Sequence, residues 1–160
     1  MAELLFLVRH AHRNLEDPSS DNGLSKRGKA QRKILTRTLD QLIPRSAKLS
    51  FLSSPKKRCR ETIKLFAKSR KTKIEIEPGL NEGNLVSSKL HSFLAEVRKA
   101  KADVVIACSH GDVLPLLIKL ACQIEGPLDL AKGSVAVLRV DGNSFTLEWL
   151  LQPQKTTLDF

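Results

Sequence analysis

Two short runs, Leu4–Val8 (LLFLV) and Val104–Ser109 (VVIACS), are apolar at every position or nearly so. Strands with one wet face alternate apolar and polar residues, whereas strands buried on both faces read as continuous apolar runs. Such strands need a layer of helices on each side, so the remaining segments must supply them.

They do so in order. Further strand-like runs occupy Leu49–Ser53, Ile74–Glu77, Ser134–Val140 and Phe145–Leu151. Apolar residues at helical spacing lie between the earlier ones: Ala30, Ile34, Leu35, Leu39 and Leu42 within Ser25–Leu42, and Cys59, Ile63, Phe66 and Ala67 within Pro55–Ala67. Leu90, Phe93, Leu94 and Val97 make a third stripe, and Leu114, Leu117, Ile118 and Ala121 a fourth. Asp141-Gly142 between the last two strands is a hairpin signal, so that pair is antiparallel. The fold class expected is α/β: a three-layer α/β/α sandwich with a mainly parallel sheet and an antiparallel C-terminal edge hairpin. A length of 160 residues fits one domain spanning 1–160.

No apolar run approaches the roughly 20 residues of a membrane span, and Arg9 interrupts the N-terminal one, so a cytoplasmic protein without membrane attachment is expected. Cys59, Cys108 and Cys122 are odd in number and widely spaced, which fits buried reduced thiols rather than disulfides or a structural zinc site. The formal net charge of +10 points to anionic partners. Much of it lies in residues 55–73, which read first as a solvated helix face. A nucleic-acid platform adds aromatic side chains for base stacking; with no Tyr and one Trp, this chain is a poor candidate for one.

Ligands of mainly parallel sheets collect beyond the carboxyl ends of the strands. The residues found there are Arg9-His10 after the first strand, Ser54-Pro55-Lys56-Lys57-Arg58 after the second, and Ser109-His110-Gly111-Asp112 after the fourth. Two arginines and two histidines are thereby candidates to converge. Guanidinium forks grip the oxygens of a phosphoryl group and stay charged at every physiological pH. A neutral imidazole can attack phosphorus, and a second one can hydrogen-bond the equatorial oxygens. Ser54 followed by Pro55 reads as an N-cap with Pro at the first helical position, presenting Arg58 in the first turn.

Four ordered segments, LVRHA, LSKRGKAQ, SSPKKRCRET and ACSHGDVL, resemble the signatures of the histidine phosphatase superfamily, also called phosphoglycerate-mutase-like. The resemblance implies that His10 is the phosphorylated nucleophile and that Arg9, Arg58 and His110 form the phosphate pocket. It implies no metal and no organic cofactor. The short chain, Arg-His-Ala in place of Arg-His-Gly, and the C-terminal hairpin are most similar to the small SixA-type phosphohistidine phosphatases. That branch acts on phosphorylated protein histidine, whose protonated imidazole leaves with little acid assistance.

Glu82 in PGLNEGNL matches the position at which ester-cleaving members carry a glutamate that protonates the departing alkoxide. With it, a small anionic phosphate ester becomes the alternative substrate. Arg13 and Asn14 follow the nucleophile in a loop that lines the pocket mouth in the family, and with Ser109 and Gly111 they are expected to bind substrate. His12 is left unassigned, and His91 reads as a helix-face residue. A divalent ion on His10, His12, His110 and Asp112 is disfavoured because neighbouring arginines oppose a cation. A non-catalytic polyanion-binding module is the third reading, prompted by the charge alone.

Overall fold

The computed structural model describes residues 1–153. Its six strands are β1 (Leu4–Arg9), β2 (Leu49–Ser53), β3 (Ile74–Ile76), β4 (Val104–Ser109), β5 (Val135–Asp141) and β6 (Ser144–Leu151), ordered β3-β2-β4-β1-β5-β6 in one sheet. β1, β2, β3 and β4 pair in parallel; β5 runs antiparallel to β1 and forms the edge hairpin with β6. The turn is Gly142-Asn143, and Gly142 has φ of 60°, the left-handed conformation a two-residue hairpin requires of its first turn residue.

Four helices cover the sheet: α1 (Lys26–Leu42), α2 (Lys57–Ser69), α3 (Ser87–Lys99) and α4 (Val113–Cys122). Because strand side chains alternate, the continuous apolar runs divide between two cores. Leu5 and Leu7 of β1 with Val105 and Ala107 of β4 pack under α3 and α4, against Leu90, Phe93, Leu94, Leu114 and Leu117. Phe6 and Val8 with Ile106 and Cys108 pack under α1 and α2, against Leu35, Leu39, Ile63 and Phe66. This is the expected three-layer sandwich. No helix among the described residues is long and apolar enough to cross a membrane.

Element ends shift by a residue or two, and three local details differ from the expectation for a physical reason. Ala30 and Ile34 are exposed, and α1 instead buries Gly28, Leu35 and Leu39. Ile34 and Leu35 stand about 100° apart on a helix, and the sheet takes the row containing Leu35. β3 ends at Ile76 rather than Glu77, whose carboxylate instead caps a 3₁₀ turn at Pro78–Leu80 by accepting the Gly79 N–H. Finally, Lys56 rather than Ser54 is the N-cap of α2, and its side chain makes no cap bond. Both carboxylate oxygens of Asp21 accept the Lys57 N–H from across the fold, while the Ser54 hydroxyl is engaged elsewhere.

Candidate active site

The carboxyl ends of β1, β2 and β4 meet where the sequence places its arginines and histidines. His10 follows β1 and is held there by its backbone N–H, which donates to Ser109 O at 3.1 Å. Its ring lies beside that of His110, with centroids 5.3 Å apart at 62°. The carbonyl of Ala11 can only accept, so His10 Nδ1, 2.8 Å away, carries the proton. Nε2 therefore holds a free lone pair. Burial first, then the electrostatic influence of His110, Arg58 and Arg9, pulls the His10 pKa down to about 3 against the opposing Ala11 bond. The ring is neutral throughout the physiological range.

Arg58 sits in the first turn of α2 and is buried. Its Nη2 donates to Glu82 Oε2 at 2.5 Å and approaches His110 Nδ1 at 3.4 Å. A guanidinium cannot accept, so His110 Nδ1 is the acceptor and Nε2–H donates to Ser54 Oγ at 2.8 Å. The same hydroxyl accepts the Lys56 N–H at 3.3 Å, so Ser54 closes the turn before α2 while it binds His110. Glu82 follows the 3₁₀ turn with its side chain about half exposed. Burial raises its pKa, but the hydrogen bond and charge of Arg58 outweigh this and hold the carboxylate ionised below its usual range.

Arg9 crosses the turn after β4 and donates from Nη1 to Leu130 O. A Cβ on Gly111 would stand 2.6 Å from Arg9 Cζ, so only glycine lets the guanidinium lie across that turn. Ser109, expected to touch substrate, instead donates its buried hydroxyl to Leu80 O at 2.6 Å and ties β4 to the segment leading to Glu82. Asn14 Oδ1 accepts the Glu16 N–H within its own loop. Arg13 Nη2 donates to the Pro18 and Ser20 carbonyls, closing that same loop. Asp112 of the disfavoured metal set accepts the Gly83 N–H, and no cluster of metal-ligating side chains occurs among the described residues.

The motif residues outside the pocket have definite structural work. Gly28 faces the His12 backbone so closely that a Cβ would lie 2.0 Å from His12 O, and Gln31 Oε1 accepts the His12 N–H at 2.8 Å. Ser25 caps α1 by accepting the Gly28 N–H. Thr62 accepts the Ala11 N–H at 3.0 Å and donates to Arg58 O at 2.7 Å. The first three segments thus hold the chain just after β1 against α1 and α2.

A family model described as Histidine phosphatase superfamily (branch 1) matches residues 5–87, more than half of the chain. The chain belongs to the histidine phosphatase superfamily. That match supports a phosphate-ester hydrolase. Solved structures of the same fold include the protein histidine phosphatase SixA complexed with tungstate, at 18% identity and TM-score 0.79, covering 93% of this chain and 96% of that one. The alpha-ribazole phosphatase from Shigella flexneri is 19% identical with TM-score 0.73, covering 96% and 100%. A mycobacterial glucosyl-3-phosphoglycerate phosphatase with bound VO3 is 14% identical with TM-score 0.77, covering 95% and 100%. No curated protein matches the chain in sequence.

Sequence reasoning did not single out Gln31, Thr62 or Lys132. The first two lie inside quoted motifs, so the signal was present. Lys132 carries none; it reaches the site in the turn before β5, where Gly133 N–H donates to the carbonyls of both Arg9 and His10. Of the basic residues at 55–73, Arg58 points inward and Arg70 bonds Asp40, Ile43 O and Pro44 O, whereas Lys64, Lys68, Lys71 and Lys73 are exposed. His91 is exposed on α3. Cys59 and Cys108 are buried, Cys122 is half-buried, and all three are free.

Proposed function

We propose that this chain is a metal-independent phosphatase working through a phosphohistidine on His10. The observation that carries the reading is the Ala11 carbonyl bond to His10 Nδ1, which leaves Nε2 bare beside His110, Arg9 and Arg58. Nε2 attacks phosphorus, a P–N bond forms, and the bond from phosphorus to the leaving group breaks. Arg9 and Arg58 hold the phosphoryl oxygens, and His110 Nδ1 takes the proton of a monoprotonated phosphoryl group and donates it back as a hydrogen bond to that oxygen. Water then attacks phosphorus, P–Nε2 breaks, inorganic phosphate departs, and His10 returns to neutrality. The tungstate in the SixA relative is a tetrahedral oxyanion of the kind such a pocket holds.

For substrate, a cytoplasmic SixA-like activity on phosphorylated protein histidine is the leading assignment. Glu82 is ionised and bound to Arg58, a poor proton donor in this state, and a phosphohistidine substrate brings its own protonatable leaving group. A second reading rests on the same contact: a phosphoryl group that claims Arg58 would release Glu82 beside a new negative charge, raise its pKa and fit it to protonate an alkoxide. The substrate is then a small phosphomonoester.

Two measurements test this. His10→Ala is expected to abolish phosphate release and acid-labile labelling of the protein; unchanged turnover by homogeneous variant would end the mechanism. Glu82→Gln is expected to spare phosphohistidine hydrolysis and slow alkyl phosphate hydrolysis. Equal, negligible effects on both would remove the acid role.

A further inference from the structure

The end of α2 furthest from His10 carries lysines that have no part in the chemistry above. Lys64 and Lys68 lie one helical turn apart on the same exposed face, and Lys71 and Lys73 follow where the helix stops. With Ala67 and Ile74 they line a hollow of about 390 Å³, within the size range of small-ligand sites. No carboxylate lines it, and none among the described residues pairs with any of the four ammonium groups. Elsewhere on the same helix the cations are matched: Lys57 pairs with Glu61, and Arg70 at the helix cap pairs with Asp40. The uncompensated charge is therefore confined to the hollow. A helix C-terminus favours cations, but its partial charge of about half an electron is met by one ammonium, not by four.

The backbone adds an independent observation. Thr72 N–H donates to Ala67 O at 3.0 Å and Lys71 N–H donates to Lys68 O at 3.1 Å, the paired bonds of a Schellman motif. The motif requires a left-handed residue just past the cap, and Lys71 takes it with φ of 52°. Glycine occupies that conformation without steric penalty. A lysine there loses backbone stability, and what it adds is a side chain in the hollow.

We infer that Lys64, Lys68, Lys71 and Lys73 form a second anion site, for a chain of three or more linked phosphates. A lone phosphate carries at most about two negative charges and leaves half of this cluster unmatched, whereas a triphosphate brings about four in one compact chain. Ammonium groups act as point charges that can follow such a chain, without the planar fork that suits arginine to a single phosphate or carboxylate. No aromatic side chain lines the hollow to stack a base, so a nucleic-acid strand is the poorer fit. The chain is an inorganic polyphosphate or the triphosphate of a nucleotide. The site is separate from the pocket at His10: α2 rises about 15 Å between Arg58 and Lys68, against a Debye length of about 8 Å in physiological salt.

Titration calorimetry with sodium tripolyphosphate in about 0.15 M salt tests the site. Lys68→Gln/Lys71→Gln is expected to weaken binding by about ten-fold or more. Lys29→Gln/Lys33→Gln removes the same charge from the exposed face of α1 and should change binding by less than about two-fold. Equal losses in the two variants would mean attraction by the net charge of +10 as a whole and would overturn the site, as would an affinity that Lys68→Gln/Lys71→Gln leaves unaltered. The Arg58→Ala protein, with its phosphate pocket impaired, should keep the tripolyphosphate affinity; its loss there would assign the binding to the pocket at His10 and remove the second site. Orthophosphate should bind at least about ten-fold more weakly than tripolyphosphate, and equal affinities overturn the preference for a chain. ATP without magnesium distinguishes the sources: affinity matching tripolyphosphate assigns the nucleotide, and weaker affinity the inorganic chain. Lys71→Gly separates ligand from backbone. A melting temperature higher by about 2–4 °C with weaker tripolyphosphate binding supports the site, and unchanged binding in that variant removes Lys71 from it and overturns the four-lysine assignment.

Discussion

The hydroxyl of Thr62 accepts the Ala11 N–H at 3.0 Å and donates to Arg58 O at 2.7 Å, so one side chain spans the segment after His10, the proposed nucleophile, and the helix that carries Arg58. Both partners are buried. Thr62→Val keeps the shape and leaves the Ala11 N–H unpaired, which is expected to cost about 1–3 kcal/mol in denaturant unfolding. Loss of register between His10 and Arg58 should also lower kcat/KM by about ten-fold. Thr62→Ser should recover most of both, and an unaltered kcat/KM in Thr62→Val would show that the bond does not position the pocket.

Two glycines separate folding from catalysis. At Gly111 a Cβ meets the end of the Arg9 side chain, which can swing away, so Gly111→Ala should leave the melting temperature nearly unchanged and reduce kcat/KM by about 100-fold. At Gly28 it meets the backbone oxygen of His12, which cannot. Gly28→Ala is expected to destabilise by about 1–3 kcal/mol or more, measured as a lower denaturation midpoint.

The depressed pKa of His10 makes a signed prediction about acid. The unfolded imidazole takes a proton below about pH 6.5, whereas the folded one stays neutral until about pH 3. Stability is therefore lost as pH falls between those values and is unaffected by this group above them. At pH 5 the loss is about 2 kcal/mol. His10→Asn should narrow the difference in unfolding free energy between pH 8 and pH 5 by that order. An equal difference in both proteins would mean that the folded imidazole titrates normally.

Glu82 occupies Arg58 Nη2, so in the proposed mechanism it competes there with the phosphoryl group. Removing the charge with Glu82→Gln should strengthen competitive inhibition by inorganic phosphate by about two- to five-fold, a modest effect because the carboxylate is half exposed. Weaker inhibition in the variant would instead mean that Glu82 holds Arg58 in its phosphate-binding pose.

The layers of this protein are written locally. A strand such as Leu4–Val8 is apolar throughout because both faces are covered, and the helical stripes show which segments cover them. The residues that follow the strands therefore make Arg9, His10, Arg58 and His110 candidates to converge, and the fold brings their side chains together. What local pattern misjudges is the fate of a polar side chain with two possible partners. Ser54 has the sequence of a helix cap, yet its hydroxyl meets His110, 56 residues away, and Asp21 supplies the cap instead. Thr62 meets Ala11 across 51 residues, Ser109 turns to Leu80 rather than to the pocket, and Lys132 arrives through a turn with no signature. Periodicity reports burial because burial repeats with the geometry of one element. A hydrogen bond or a cluster of charges depends on how separate elements are set against one another, and that relation exists only once the sheet has brought β1, β4 and β5 side by side.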